Sequence, residues 1–296
     1  MPLTLPTENP AKASPPFLCS GTLFVVATPI GNMEDITFRA IRTLTEAGLI
    51  AAEDTRQTRK LLARYKISTP LVSFHDHNKE KRAPELLQKL RSGISVALVT
   101  DAGTPSISDP GYYLVKEAIR EALPVIPVPG ASASVAALSV SGLPTDSFVF
   151  VGFAPRKANR RIQLLDSLKD QPRTLVFYES PKRLLGLIET MIKIMGDRDA
   201  VMARELTKIH EEIFRDKLTG IAEELSQRSS LKGECTLLVA GHGRKEEIDQ
   251  KTIRCHLKRL RQDKNCSLSD LVKEVARKHR LPKKAVYDAA LKLKKE

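Results

Sequence analysis

Residues 99–111 read VTDAGTPSISDPG, and they follow an apolar run that extends from Ile94 to Val99. A segment with helical spacing, residues 112–122, comes directly after them. This order predicts a buried strand, a long loop of small residues and then a helix. In an open α/β sheet, ligands bind beside the carboxyl ends of the strands. Because small residues let a ligand approach the main chain closely, the loop is a candidate binding segment, and an unusually long ordinary connection is the alternative.

The first half of the chain alternates strand-like and helix-like segments around this loop. Helices are predicted at 36–47, with Asp35 as a possible cap, and at 83–90 and 112–122. Strands are predicted at 21–28, 49–52, 71–74, 94–99 and 124–128. This alternation predicts a mostly parallel sheet covered by helices, in an N-terminal α/β domain of residues 21–142.

A second α/β domain is predicted at 147–242, after the linker-like segment 142–146. The pattern of predicted elements changes after this segment. The strands are placed at 148–153, 174–178, 200–203 and 235–241, and the helices at 160–168, 183–195 and 221–228. The fold class is therefore α/β, with two α/β domains and a cleft between them.

The two ends of the chain differ from this body. Residues 1–20 contain five prolines and no long apolar core, which predicts a disordered tail and no signal peptide. Residues 245–296 are predicted to form a basic helical domain that resembles a helix-turn-helix. From residue 244 onward the chain has 17 Lys and Arg against 8 Asp and Glu, a net +9 of the total +13. A polyanionic partner is one interpretation of this charge, and a solubilising surface is the other.

Several classes of chemistry are disfavoured because their sequence motifs are absent. The sequence contains no phosphate-binding P-loop, no strand-anchored G-x-G-x-x-G, no G-x-S-x-G elbow and no H-E-x-x-H. Four irregularly spaced cysteines argue against a disulfide scaffold and a zinc site, and they suit a reducing compartment. His75 and His77 flank Asp76, but such a loop is more often structural, and no metal is expected. The uncharged span 122–145 is interrupted by prolines, so we expect a cytoplasmic protein without a membrane segment.

Six motifs in this order resemble the ribosomal RNA small-subunit methyltransferase I family, a branch of the tetrapyrrole methylase superfamily. The motifs are ATPIGNMEDIT (27–37), AAEDTR (51–56), HDHN (75–78), DAGTP (101–105), FYES (177–180) and ARELTK (203–208). The resemblance is strong over residues 21–242 and looser in the C-terminal helices. Several ordered motifs are far more specific than any one of them.

The resemblance implies S-adenosylmethionine as methyl donor and 2'-O-methylation of a cytidine ribose in the decoding centre of 16S rRNA. It also implies a cofactor cleft between the two α/β domains and a homodimer. The substrate that the resemblance implies is 16S rRNA or the assembled small ribosomal subunit. The residues that the resemblance places at the cofactor are Pro29, Asp101, Ala102, Gly103, Thr104, Pro105, Ser106, Ser132, Ala133, Tyr178 and Ala203.

A tetrapyrrole methyltransferase is the first alternative function. Tetrapyrrole-acting members usually carry a G-x-G-P-G-D-like first loop, whereas this chain has Thr28-Pro29-Ile30-Gly31-Asn32, and DAGTP replaces a G-D-P pattern. Both departures match the ribosomal branch. The second alternative is a non-catalytic RNA-binding or assembly factor with a vestigial cleft.

A ribose hydroxyl is a weak nucleophile, so a group of the enzyme must accept its proton. The candidates Glu53, Asp54, His75, His77, Glu179 and Glu205 each lie in a motif at a predicted strand end. Among them we favour Glu53 or Glu179. RNA phosphates are expected to meet Arg56, Arg204, Lys208, Arg277, Lys278, Arg280, Lys283 and Lys284. Ion pairs that only brace the cleft are the alternative role for Arg56, Arg204 and Lys208.

Overall fold

The structure is a computed structural model that describes residues 20–228 and 230–243, together with positions 272, 273, 275, 276, 286, 287 and 290. The expected N-terminal tail and most of the expected basic domain lie outside these residues. The described positions from 272 onward are helical, and the buried ones among them are Val272, Val275, Ala276, Val286 and Ala290. No helix in the described part of the chain is long and apolar enough to cross a bilayer.

The first sheet consists of five parallel strands. They are β1 (Leu23–Val26), β2 (Leu49–Ala52), β3 (Leu71–Ser73), β4 (Val96–Val99) and β5 (Val125–Val128), in the spatial order β3-β2-β4-β1-β5. Every residue of β2 and β4 is buried, which explains why both strands are continuous apolar runs rather than alternating ones. The prediction of a parallel sheet is confirmed.

Helices cover both faces of this sheet. They are α1 (Phe38–Glu46), α2 (Thr55–Arg64), α3 (Lys79–Arg91) and α4 (Gly111–Arg120). A fifth helix, α5 (Ala133–Ser139), follows β5. Leu44 of α1 and Leu61 of α2 belong to the apolar cluster on one face. Leu90 of α3 and Leu114 of α4 belong to the cluster on the other face. The first half is therefore a doubly wound α/β unit.

Two local predictions in this half were wrong. Asp35 does not cap α1: it ends a 3-10 turn, and the Thr37 hydroxyl accepts the N–H of Ala40 at 3.1 Å instead. Helix α3 begins at Lys79 rather than at residue 83. The main-chain carbonyl of Asn78 already accepts the N–H of Arg82 at 2.9 Å, so the chain enters the helix before Pro84.

The second sheet is mixed. Its strands are β6 (Phe148–Phe153), β7 (Thr174–Glu179), β8 (Asp199–Arg204), β9 (Glu212–Lys217) and β10 (Cys235–Val239), in the order β6-β7-β10-β8-β9. Only the pair β6–β7 is parallel. Helices α6 (Ala158–Leu168), α7 (Pro181–Met195) and α8 (Leu218–Ser226) pack on one face. The sequence analysis missed β9, because its charged residues hide the strand pattern, as is common for an edge strand.

Helix α5 joins the two sheets. Its residues Ala137 and Leu138 pack against Val176, Val201 and Leu238 on the face of the second sheet that α6–α8 leave open. Ile30, in the loop after β1, belongs to the same apolar cluster. This packing fixes the carboxyl ends of the first sheet opposite the second sheet and leaves a cleft between them. The exact domain boundaries remain predictions.

Candidate functional site

The loops after β1 and β4 meet where the strand order of the first sheet reverses. The N–H of Thr28 donates to the carbonyl oxygen of Gly103 at 2.9 Å, and the N–H of Gly103 donates back at 3.1 Å. Gly103 has φ +83°, a conformation that residues with a Cβ rarely adopt. Such a switch point is the usual ligand position in an open α/β sheet. The hydrogen bonds between Thr28 and Gly103 therefore hold the loop of residues 99–111 at the floor of the cleft.

Main-chain strain is concentrated at the loops that border this cleft. The non-glycine residues with positive φ in the described ranges include Ser106 and Ser108 in the loop after β4, and Glu205 and Thr207 in the loop after β8. For a β-branched residue such as Thr207, this conformation is a genuine outlier. Its hydroxyl accepts the N–H of Asn32 at 2.9 Å and so ties the loop of one sheet to the loop of the other. Strain of this kind clusters at functional sites.

A pocket of about 350 Å³ lies in the cleft, within the usual range for small-molecule sites. Both sheets contribute to it through their strand ends. The lining residues from the first half are Ile30, Glu53, Thr100–Thr104, Ile107–Asp109, Ser132 and Ala133, and those from the second half are Phe153, Tyr178–Ser180, Ala203, Leu206 and Gly233–Thr236. The strand register explains why the residues from the second half lie together. Cys235, at the start of β10, pairs with Glu179 at the end of β7 and with Arg204 at the end of β8.

Carboxylates dominate the charge of this pocket. Five line it, and no lysine, arginine or histidine occurs among its described lining residues; the five are Glu53, Asp101, Asp109, Glu179 and Glu234. Burial raises the pKa of Asp101 above its usual value and raises that of Asp109 to about 6. A concave surface of one charge sign attracts ligands of the opposite sign. The pocket therefore favours a ligand that carries positive charge.

Glu53 and Glu179, the two favoured proton acceptors, both line the pocket. The Thr100 hydroxyl donates to Glu53 Oε2 at 2.6 Å. Glu179 has a side chain only 1% exposed, and its Oε1 accepts the N–H of Ser180 at 2.8 Å. Its Oε2 lies 3.1 Å from the Arg183 guanidinium but outside hydrogen-bond geometry, so the two form an ion pair without that bond.

Tyr178 connects the second sheet to α5. Its hydroxyl oxygen accepts the N–H of Ser134 at 3.2 Å. Its ring makes edge contacts with Phe150 and Phe153, at centroid distances of 5.0 and 5.8 Å. Because Phe153 is 56% exposed and also lines the pocket, this aromatic cluster offers a flat apolar wall beside the carboxylates.

Most of the expected cofactor residues come together in the pocket. Asp101, Ala102, Gly103 and Thr104 form one wall, and the others that line it are Ser132, Ala133, Tyr178 and Ala203. Pro29, Pro105 and Ser106 lie next to lining residues without lining the pocket themselves; both prolines are buried. Their roles remain predictions.

The expected RNA-binding residues divide into two groups. Arg56 pairs with Asp54 at 2.7 Å and keeps 83% of its side chain exposed. Arg204 pairs with Glu212, and Lys208 pairs with Glu205 and Glu234, so both are already neutralised by carboxylates. Arg277, Lys278, Arg280, Lys283 and Lys284 lie outside the described residues.

The other titratable candidates are not equivalent. Asp54 caps α2, and the Arg56 guanidinium lowers its pKa to about 2. The His75 and His77 rings lie 6.0 Å apart, and no group of three or more potential metal ligands occurs in the described part of the chain. Glu205 pairs with Lys208 at 2.8 Å, which lowers its pKa.

Asp109 is one of the lining residues that sequence reasoning missed as site candidates. It stands in the segment quoted first, eight residues after Asp101 and just before α4. Its position in the loop was visible, but its burial and the acidic groups Glu53 and Asp76, which follow β2 and β3, depend on the tertiary structure. Phe153 and Glu234 were missed for the same reason, because long-range packing brings them to the pocket.

Comparison with known proteins places the chain in a family. Residues 22–222 match the family of Tetrapyrrole (Corrin/Porphyrin) Methylases. The Ribosomal RNA small subunit methyltransferase I of Halalkalibacterium halodurans is 54% identical, over 78% of this chain and 79% of that protein. Proteins of the same name are 50% identical in Thermotoga maritima, over 75% of this chain and 99% of that one, and 44% identical in Synechocystis, over 92% and 98%.

Solved structures share the fold at lower identity. Uroporphyrin-III C-methyltransferase from Thermus thermophilus, complexed with S-adenyl homocysteine, aligns with a TM-score of 0.53 at 21% identity, over 74% of this chain and 97% of that one. Diphthine synthase aligns with a TM-score of 0.56 at 16% identity, over 74% and 90%. Both support the expected fold class of two α/β domains. The chain thus belongs to the tetrapyrrole methylase family, in its group of ribosomal RNA small subunit methyltransferases I.

Proposed function

We propose that this chain transfers a methyl group from S-adenosylmethionine to the 2'-hydroxyl of a cytidine in the decoding centre of 16S rRNA. The observation that carries the proposal is the 44–54% identity to proteins named Ribosomal RNA small subunit methyltransferase I, over three quarters or more of this chain. The cytidine and its 2'-oxygen come from the motif resemblance. A ribosomal RNA substrate implies that the reaction takes place in the cytoplasm.

The pocket fits S-adenosylmethionine on charge and shape. This cofactor carries a sulfonium and an ammonium group, and both would meet the five lining carboxylates. Gly103 leaves the floor open, since it has no side chain to fill the space there. The acidic wall therefore supports S-adenosylmethionine as the ligand of this pocket.

S-adenosylmethionine, when bound, supplies an electrophilic methyl group next to a sulfur that leaves as a neutral thioether. The protein has to hold the ribose oxygen in line with that methyl, and alignment alone can provide much of the acceleration. The two-sheet cleft suits this task, because α5 and the Asn32–Thr207 hydrogen bond fix its walls. Glu53 and Glu179 are the proton acceptors that the sequence analysis favours.

RNA would approach through its phosphates. In this proposal, Arg56 is available at the surface, Arg204 and Lys208 brace the cleft through their ion pairs, and the C-terminal basic residues hold the RNA. A homodimer is also part of the proposal, on the motif resemblance alone.

Transfer to three acceptors tests the proposal. Purified protein and methyl-labelled S-adenosylmethionine are incubated with naked 16S rRNA, with small subunits that lack the modification, and with a uroporphyrinogen. Label on a ribose of RNA is expected. Label only on the tetrapyrrole would support the first alternative. A calorimetric titration without binding of S-adenosylhomocysteine would support a non-catalytic assembly factor.

Replacing all five C-terminal basic residues with glutamine is expected to weaken RNA binding at least tenfold at physiological salt. The residues are Arg277, Lys278, Arg280, Lys283 and Lys284. Each lost phosphate contact removes about 0.7 to 0.9 from the slope of log affinity against log salt, so the loss of five contacts should reduce the slope by about 3.5 to 4.5. Filter binding at several salt concentrations measures both quantities. Unchanged RNA affinity would contradict this role, and unchanged binding of S-adenosylhomocysteine is the control.

A further inference from the structure

Helix α2 begins at the rim of the pocket. Glu53, the residue before its cap, lines the pocket. The N–H of the capping residue Asp54 donates to Oδ1 of Asp101, another lining residue, at 3.0 Å. From there the helix extends from Thr55 to Arg64, a length of about 15 Å at 1.5 Å per residue. Helix α2 is therefore a surface that RNA next to the reacting ribose can reach.

All charged residues of α2 are basic. Arg56, Arg59, Lys60 and Arg64 are exposed, and the helix contains no aspartate or glutamate. Each of the other described helices that carries lysine or arginine, namely α1, α3, α4, α6 and α7, also contains an acidic residue. A surface that serves only solubility usually has both signs interspersed. The four basic residues, which we call the α2 basic stripe, therefore set this helix apart.

The α2 basic stripe occupies one side of the helix. At 3.6 residues per turn, its four members fall within an arc of about 140°. The buried residues Leu61 and Leu62 lie on the opposite side, where they pack into the core of the first sheet. Along the axis the stripe is about 12 Å long, which is enough to follow a nucleic-acid strand past successive phosphates.

Little negative charge compensates the stripe. Arg56 pairs with Asp54 at 2.7 Å, but its side chain stays 83% exposed. Neither Arg59 nor Arg64 has an ion pair within the described part of the chain. Lys60 lies four residues from both Arg56 and Arg64, and like charges at this spacing on a helix repel each other. A bound polyanion would relieve this repulsion.

The pocket and the stripe have opposite charge. The five lining carboxylates attract a cationic cofactor and repel phosphates. An RNA substrate therefore needs positive charge beside the pocket, because phosphate contacts supply much of the affinity and fix the orientation of the nucleic acid. Arg204 and Lys208 are neutralised by carboxylates. The α2 basic stripe provides the uncompensated charge that those two residues lack.

We propose that the α2 basic stripe binds the phosphates that flank the reacting nucleotide of the RNA substrate. The proposal rests on the proposed function and adds Arg59, Lys60 and Arg64 to the RNA-binding surface, which the sequence motifs do not single out. Contacts to phosphates orient the strand and carry no base information. The stripe thus positions the ribose at the pocket and takes no part in the bond changes of methyl transfer.

Replacing Arg59, Lys60 and Arg64 together with glutamine tests the proposal. We expect KM for RNA to rise about tenfold or more while kcat stays within about twofold, because these contacts are made equally in the ground state and the transition state. The slope of log affinity against log salt should fall by about 2 to 2.7, at 0.7 to 0.9 per lost contact. Arg56 is left in place, since its pairing with Asp54 supports the start of α2.

The acceptor in these assays is whichever of naked 16S rRNA and unmodified small subunits the wild type methylates, and filter binding gives the salt slope. Lys89→Gln/Lys116→Gln/Lys193→Gln is the matched control, because it removes the same charge from exposed positions of α3, α4 and α7. The control should keep KM close to wild type. Arg59→Lys/Arg64→Lys should keep the wild-type salt slope, since lysine also binds phosphate through its charge.

A triple α2 variant with the KM and salt slope of the control variant would overturn the proposal and leave the proposed function intact. So would an equal loss in the lysine variant, because side-chain shape rather than charge would then matter. Weaker binding to small subunits with unchanged binding to naked 16S rRNA would also overturn it, since a protein would then contact the stripe. Loss of S-adenosylhomocysteine binding or a lower melting temperature would assign these residues to the fold instead. If the wild type methylates no RNA, the proposed function fails as well.

Discussion

Replacing Gly103 with valine is expected to weaken binding of S-adenosylhomocysteine at least 100-fold and to abolish methyl transfer. Gly103 has φ +83°, and its N–H and carbonyl are both bonded to Thr28. A β-branched residue in this conformation costs about 1 to 3 kcal/mol. A Cβ would already lie 3.5 Å from Ile30 Cγ2 and 3.8 Å from the carbonyl oxygen of Ala131, so the γ-methyl groups have no free space on those sides. A 100-fold loss corresponds to about 2.7 kcal/mol, which the strain and the steric conflict together can supply.

Gly103→Ala is the matched control for this effect. Its Cβ makes only ordinary van der Waals contacts, so the remaining cost is that of the left-handed backbone, about 1 to 2 kcal/mol. We expect the alanine variant to bind the cofactor product measurably, but more weakly than wild type. Isothermal titration of both variants gives the comparison. Wild-type affinity in Gly103→Val would show that the Thr28–Gly103 bridge does not form the floor of the cofactor site.

Replacing Glu179 with alanine is expected to lower the free energy of unfolding by about 3 to 5 kcal/mol. The Arg183 guanidinium, which is 28% exposed, would lose its carboxylate but keep its hydrogen bond to the carbonyl oxygen of Ala154 at 2.6 Å, so the loss should lie at the lower end of this range. The Ser180 N–H also loses its acceptor. Denaturant unfolding should show the loss. Glu189→Ala, on the exposed side of the same helix α7, should change stability by no more than about 0.5 kcal/mol.

The glutamine variant separates the two roles that Glu179 can have. Glu179→Gln keeps the shape of the side chain and an acceptor for Ser180, but it removes the charge opposite Arg183. If Glu179 only supports the wall, transfer should stay within tenfold of wild type in molecules that remain folded. If it is the proton acceptor, as the sequence analysis allows, transfer should fall at least 100-fold. Equal stability of Glu179→Ala and Glu189→Ala would contradict the structural role.

Local patterns were sufficient to predict the first sheet. The apolar runs of β2 and β4 are buried on both faces, and that burial is what makes such runs recognisable in a sequence. The small-residue loop between β4 and α4 was also recognisable in the sequence as a candidate binding segment. Its Gly103 has a positive φ, a conformation that favours glycine. The prediction that Asp35 caps α1 was wrong, because the hydroxyl of Thr37, two residues further on, accepts the N–H of Ala40 and caps the helix instead.

Long-range contacts set the limit of the prediction. The pairing of Glu212 with Arg204 and with Arg228 depends on the edge strand β9, which its charged residues concealed. Asp109 lies in the first segment analysed, but its raised pKa arises from burial and from acidic groups that follow β2, β3 and β4. No local pattern contains that information. The sequence therefore indicates which loops form the site, and the tertiary structure shows which of their side chains line the pocket.

Mapping of 2'-O-methyl groups on the small-subunit rRNA of the native host tests the central claim most directly. The gene is deleted, and the strain is complemented with wild type or with the Gly103→Val variant. We predict that deletion removes one ribose methyl group from a cytidine of the decoding centre, and that the wild type restores it whereas the variant does not. A methylation map that is the same with and without the gene would contradict the proposed substrate.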